Sequence, residues 1–240
     1  MSYPKHPETI LVKNEFYPDG LKEIQVYNYY QSVKDKLIVE TSGRDLMFFI
    51  AIDTNKTTVL RKGKTTNFVR LNRSNWNDTL HGRVLSIHST MHNTEDVGII
   101  DIDGEDFKAN KQATIDTYEY VTSKFTFIDS AFIKFTGKNS FHVVCSLKKP
   151  TYIDSVRTMF RNYLERSDLA KDYFIDEMRR RDKTVPNLDL SSNKWRGGFI
   201  TLHSLSTLGL RCMKIDPGKV RSFKKEYAII KIEAKKTPPT

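Results

Sequence analysis

Residues 130–147 read SAFIKFTGKNSFHVVCSL, two apolar runs separated by a lysine, a threonine, a glycine, a second lysine and a serine, with a histidine just beyond. The apolar runs predict an antiparallel hairpin, and Gly137 permits a tight turn between its strands. A hairpin that only filled a core would have little use for that polar centre. Ser140 and His142 lie two apart, so hydroxyl and imidazole project from the same face of a strand. Lys134 and Lys138 add positive charge, and with Thr136 they form a set suited to phosphate oxygens. Taken alone, His142 reads better as a satisfied core histidine.

The run that precedes this hairpin supplies the complementary charge. VGIIDIDGEDF, residues 97–107, is an apolar strand ending in acids and a glycine. Asp101 and Asp103 are two apart, so both carboxylates face the same way. Two anions aimed together repel unless a cation lies between them, and hard oxygen donors suit Mg²⁺ or Mn²⁺. A lone Asp-x-Asp also marks an ordinary strand end turning at Gly104. Further on, VPNLDLSSN places Asp189 between Leu188 and Leu190, an isolated acid in a short apolar context. Carboxylates for metal ions followed by a phosphate-binding turn are what metal-assisted phosphoryl transfer requires.

Composition bounds the remaining choices. The 240 residues carry a net charge of +10, a weak pointer to a polyanionic partner. No run approaches the ~18–20 apolar residues of a membrane span, and MSYPKHPETILVK lacks the apolar centre of a signal peptide. Cys145 and Cys212 cannot build a zinc cluster by themselves and lie in no Cys-x-x-Cys. The expectation is a reduced, cytoplasmic and nucleoid-associated setting with no membrane and no zinc.

Periodicity predicts an α+β chain. GLKEIQVYNYYQSVKDKLI has helical spacing, with Ile24, Tyr27, Tyr30, Val33 and Leu37 on one face. DLMFFIAI and TTVLRKG read as strands joined at DTNK. EDFKANKQATIDTYEYVTSKF and YIDSVRTMFRNYLERS read as helices, and GGFITLHSL and EYAIIKIE as closing strands. With no repeat or linker, residues 1–240 read as one catalytic domain of two lobes, with residues 234–240 as a flexible tail.

The order DID, then GKNSFH, then LDL resembles the three motifs of archaeo-eukaryotic primases. Within that superfamily the chain is most similar to the polymerase domain of ligase D and its stand-alone archaeal end-joining relatives. The resemblance covers nearly the whole chain: FYPDGLKEIQVYNYY looks like the family's opening, His88 falls at the family histidine, and KFTGKNSFHVV aligns Lys134, Gly137 and His142. Asp189, Asn193 and Ser204 keep the family spacing.

The resemblance implies an archaeo-eukaryotic primase catalytic core, an N-terminal α/β lobe plus a C-terminal lobe like an RNA-recognition motif. It implies that Asp101, Asp103 and Asp189 hold two divalent cations, Mg²⁺ or Mn²⁺, and that Thr136, Lys138, Ser140, His142, Ser204 and Arg211 bind the incoming nucleoside triphosphate. Phe68 and Arg70 would meet a DNA template, and Lys13 and Lys22 a downstream 5′-phosphate. The chain departs from the pattern where a second phenylalanine normally accompanies Phe68, and where Ser206 stands in place of an arginine; Arg211 or Arg196 would substitute. The implied activity is template-dependent nucleotidyl transfer to a 3′-hydroxyl in gap filling or end joining, beside a separate ligase or Ku-like protein. The alternatives are a primase making primers de novo and an inert nucleic-acid-binding subunit.

Overall fold

The structure, a computed structural model, describes residues 4–60, 69–176 and 182–231. In chain order the elements are β1 (Ile10–Asn14), β2 (Tyr17–Lys22), α1 (Glu23–Ser32), α2 (Lys34–Glu40), β3 (Leu46–Asp53), β4 (Lys56–Leu60), α3 (Trp76–Thr79), β5 (Val84–Thr90), β6 (Thr94–Asp103), α4 (Phe107–Lys124), β7 (Ile128–Phe135), β8 (Phe141–Tyr152), α5 (Ile153–Glu165), α6 (Leu169–Asp172), β9 (Phe174–Ile175), β10 (Asn187–Asp189), β11 (Gly198–Ile200) and β12 (Met213–Ile215). Short 3₁₀ turns span Pro217–Lys219 and Lys225–Ala228. The chain divides into two compact units. One holds the described residues up to Ser89, Ile200–Arg211 and those from Lys225 onward; the other holds Thr90–Phe199 and Cys212–Lys224.

In the first unit β3 lies between β4 and β5 in an antiparallel sheet, and the chain after β11 returns along β5, where Thr201 N–H donates to the Ile87 carbonyl. The β1–β2 hairpin leads directly into α1. Val26, Tyr29, Tyr30 and Leu37 bury against Leu46, Phe48, Val84 and Ile87. Burying each such side chain contributes on the order of 1.5–3 kcal/mol. Tyr30 keeps its hydroxyl satisfied by donating to the Leu85 carbonyl and accepting from Leu205 N–H. Two details differ from the sequence reading. The helix breaks at Val33, and its inward stripe is Glu23, Val26, Tyr29, Tyr30 and Leu37, leaving Ile24 and Tyr27 half-buried. The buried Glu23 is tolerated because Arg83 Nε lies 3.1 Å from its carboxylate.

Residues 226–231 form no strand. The main-chain groups that a ladder would use are committed elsewhere: the Ala228 carbonyl accepts from Arg211 N–H, the Tyr227 carbonyl from the Arg211 guanidinium, and Ile230 N–H donates to Tyr17 Oη. Likewise the predicted strand over 197–205 shortens to Gly198–Ile200. The tail at 234–240 and Phe68 lie outside the described residues.

The second unit is a six-stranded sheet in the order β12-β7-β8-β6-β10-β9. On one face Ile100, Ile102, Ile133, Phe135, Phe141, Val143 and Leu188 are buried. Against that face, Phe107 of α4 stacks on Phe141 at 5.5 Å. Phe160 of α5 packs with Phe125 and Phe127 at 5.3 and 5.8 Å. The acids after β6 have a local task too: Asp106 caps α4, its Oδ1 accepting from Lys108 and Ala109 N–H. Cys145 and Cys212 are free thiols, both buried, and burial pushes the Cys145 thiol far up from its ordinary value.

Candidate active site

Strand register in the second unit lines up the polar residues of the other sheet face. Asp189 on β10 lies opposite Asp101 on β6, Asp101 opposite His142 on β8, and His142 opposite Lys134 on β7. Directly paired antiparallel residues share a face, so these four side chains form one row across four strands. Lys214 on β12 extends the row beyond Lys134. Two residues along β6, Asp103 pairs with Asn187. At that same end of the sheet Thr136 and Ser140 close the β7–β8 turn, with their hydroxyls 2.7 Å apart and Thr136 N–H donating to the Ser140 carbonyl.

The turn itself is Gly137-Lys138-Asn139. Gly137 adopts φ +91, a left-handed conformation that disfavours any side chain. Lys138 is exposed at the tip. The turn is held to the end of β6 by the buried Asn110 of α4, whose Nδ2 donates to both the Gly104 and Asn139 carbonyls. Sequence reading assigned Asn110 no role, because an asparagine within a helix carries no signal of the two carbonyls it will reach.

Burial sorts the row electrostatically. His142 is buried, and that burial lowers its pKa, opposed by the nearby Asp101 and reinforced by Lys134; its imidazole is therefore neutral at neutral pH. His142 Nε2 stands 3.5 Å from Asp101 Oδ1, beyond a good hydrogen bond. Asp101 Oδ1 and His142 Nδ1 are both buried without a hydrogen-bond partner among the described residues. Buried polar atoms in that condition are uncommon, and these two lie on neighbouring strands of the same row. Lys134 is also buried, with its ammonium 4.9 Å from the centre of the Phe199 ring. Asp103 is exposed at the strand end. Asp189 is half-buried and accepts from Ser191 N–H at 2.6 Å and Ser191 Oγ at 3.1 Å.

Two clamps fix the short strand that brings in Asp189. Asn193 is fully buried, and its carboxamide pairs with the main chain of Ile99, accepting from N–H at 2.8 Å and donating to the carbonyl at 2.5 Å. Asp176 follows β9, accepts two hydrogen bonds from Arg157 Nη2, at 3.1 and 2.9 Å, and one from Arg161, and takes a further bond from Leu190 N–H. Neither clamp follows from local spacing, since each joins residues far apart in the chain.

Among the described residues no three His, Cys, Asp or Glu side chains form a ready-made metal-binding group. The donor chemistry nevertheless suits a hard divalent cation. Two carboxylates stand directly opposite each other, one keeps an orphaned oxygen, and a third lies two residues further along the same strand.

The other expected contacts lie in the first unit. Ser204 is fully buried and its hydroxyl is committed to the main chain, accepting from Ile87 N–H and donating to the Leu205 carbonyl. Arg211 donates from Nη2 to the Tyr227 carbonyl, while its Nε is buried without a hydrogen-bond partner among the described residues. Lys13 is exposed. Lys22 is paired with Glu8 at 2.5 Å, and Arg70 with Asp45 at 2.8 Å. His88 is half-buried, its Nε2 lying 3.0 Å from Ser86 Oγ. No helix among the described residues is long and apolar enough to cross a membrane.

No protein-family model and no curated protein matches the sequence. Comparison of structures does find a likeness. The polymerase domain from Mycobacterium tuberculosis ligase D, solved in complex with DNA, matches with a TM-score of 0.74 at 12% identity over 92% of this chain and 88% of that one. The chain therefore has the α+β fold of that polymerase domain.

Proposed function

We propose that this chain is a template-dependent nucleotidyltransferase of the ligase D polymerase-domain type, adding nucleotides to a 3′-hydroxyl in gap filling or end joining. The observation that carries the reading is the row Asp189–Asp101–His142–Lys134, with Asp103 and the Thr136–Ser140 turn two residues further along the strands. Anionic and cationic groups are segregated along one sheet face, as transfer of a triphosphate near metal ions demands. In this reading residues 1–240 work as one catalytic domain, in a cytoplasmic, nucleoid-associated setting, with a separate ligase or Ku-like protein completing repair.

Asp101, Asp103 and Asp189 would hold two divalent cations, Mg²⁺ or Mn²⁺. Such ions lower the pKa of the attacking hydroxyl and neutralise charge on the pyrophosphate leaving group. The chain's own groups orient the reactants. The neutral His142 imidazole offers one N–H to a phosphate oxygen, and its position between Asp101 and Lys134 is fixed by the strands on either side. Thr136 and Ser140 each have a hydroxyl at the turn, and the exposed Lys138 meets triphosphate charge without the cost of desolvating a buried ammonium. Ser204 and Arg211 are the further residues proposed to contact the nucleotide. For Ser204, the buried and fully bonded hydroxyl supports a role in shaping the main chain around it.

Lys13, Lys22, Phe68 and Arg70 complete the reading as contacts to DNA, with Lys13 and Lys22 receiving a 5′-phosphate. For Lys22 that means exchanging the Glu8 carboxylate for the phosphate. The test is incorporation of nucleotides with Mg²⁺ or Mn²⁺ on a primed template, an unprimed single strand, and gapped duplex with or without a 5′-phosphate. Extension that requires a primer and improves with the 5′-phosphate is the expected result. Primers appearing on bare single strands, with no response to the phosphate, would assign the chain to de novo priming, and no incorporation on any substrate would refute the proposal.

A further inference from the structure

We infer that Lys194, Trp195 and Arg196 form a stacking platform for an unpaired base of single-stranded DNA, an inference that rests on the nucleotidyl-transfer reading above. Of the two tryptophans, Trp76 is wholly buried whereas Trp195 is 58% exposed. The Arg196 guanidinium lies 4.4 Å from the centre of the Trp195 ring, close enough to fix the ring's orientation from one side. Lys194 and Arg196 are exposed as well, so a large π surface is flanked in sequence by two cations. An aromatic face for the base and positive charge for its phosphates are the two elements of single-strand recognition.

The loop is built to hold this arrangement. Arg196 N–H donates to the Met91 carbonyl and Met91 N–H to the Gly197 carbonyl, while Gly197 N–H donates to the Lys194 carbonyl. Arg196 takes φ +60, a left-handed conformation that non-glycine residues rarely adopt and that gathers at functional positions. The next residue has no freedom to carry a side chain, since a Cβ at Gly197 would fall 2.1 Å from the Ser192 carbonyl oxygen. The loop also begins at the active-site strand. Trp195 follows Asp189 by six residues, with Asn193 clamped to β6 between them. Six residues reach at most about 22 Å. At ~3.4 Å per stacked nucleotide, the platform lies within about six nucleotides of Asp189. An unpaired template base is therefore the occupant the geometry points to.

Tryptophan emission reads this contact directly, because the buried Trp76 contributes a constant background. Titration with a single-stranded oligodeoxynucleotide should quench Trp195 emission in step with binding measured by anisotropy of the labelled strand; a blunt duplex should quench far less. Trp195→Ala should weaken single-strand binding by about five-fold to a hundred-fold. Trp195→Phe, which keeps a π face, should recover most of that affinity while abolishing the quench. If the strand binds without quenching, or binds Trp195→Ala as tightly as the parent while primers are still extended, the platform is wrong and nucleotidyl transfer stands. If the parent protein neither binds the strand nor incorporates nucleotides, both readings fall.

Discussion

Replacing Asp189 by asparagine should stabilise the protein in chelator and destabilise it, relative to the parent, when divalent cations are added. Asp189 and Asp101 are directly paired residues on neighbouring strands, with Cβ atoms on the order of 5 Å apart. At an effective dielectric constant of about 20, two unit charges at that distance repel by roughly 3 kcal/mol. Both carboxylates retain contact with solvent, which reduces the figure toward the ~1 kcal/mol typical of like-charged cross-strand pairs. Asparagine is nearly isosteric, and its carbonyl oxygen can still accept from Ser191 N–H. The net gain in chelator should be about 0.5–1 kcal/mol, a rise of about 1–4 °C in Tm for a chain of this size. Added Mg²⁺ or Mn²⁺ should raise the parent's Tm through binding to the folded state alone, by about 1.4 kcal/mol at ten times the Kd. The variant should lose most of that increment. Differential scanning calorimetry of both proteins, with and without cation, would therefore show the order of stability reversing. A variant that is less stable in chelator, or that gains as much from the cation as the parent, would mean that Asp189 and Asp101 neither repel each other nor share a cation.

Arg157→Ala should cost about 2 kcal/mol in denaturant unfolding, because it strips the bidentate partner from a carboxylate that is almost wholly buried while Arg161 still answers part of the charge. A change below about 0.5 kcal/mol would mean that the Asp176 clamp does not hold β10. Stability should also fall on acidification. Burial lowers the pKa of His81, with Arg83 adding to the effect and Glu23 opposing it. Burial also lowers that of His203, with Lys36 and Arg211 adding to it. Both depressed values leave the unfolded chain binding more protons below pH ~6.5, so stability is fully present above that pH and lost as pH falls through it toward the lowered values. The His81→Gln, His203→Gln double variant should lessen the slope of Tm against pH in this window, leaving the part due to the buried His142, and an unchanged slope would contradict the assignment.

How much of this was legible in the sequence varies with the range of the interaction involved. The spacing of Asp101 to Asp103 and of Ser140 to His142 follows from the two-residue period of a strand, and the hairpin around Gly137 from its turn chemistry. What no local pattern encodes is register. That Asp189 faces Asp101, and that Lys134 stands beside His142, depends on which strands pair and at what offset. The Asn110, Asn193 and Asp176 clamps are invisible for the same reason. In α1 the buried stripe falls on Val26, Tyr29 and Tyr30 rather than on Ile24 and Tyr27, because tertiary packing selects the face, and the helix breaks at Val33. Residues 226–231 look like a strand in composition, yet the side chains of Tyr17 and Arg211 take up main-chain groups that a ladder would need.

The decisive measurement for nucleotidyl transfer is incorporation of a nucleoside triphosphate onto a primed template by Asp103→Ala. Asp103 is exposed at the end of β6, so its loss should leave the fold intact, which an unchanged Tm will establish. The parent should incorporate nucleotides in the presence of Mg²⁺ or Mn²⁺, and the variant at a rate lower by about 10²–10³ or more, as loss of preorganised charge stabilisation requires. A folded Asp103→Ala protein that extends the primer at the parent's rate would contradict nucleotidyl transfer at this site.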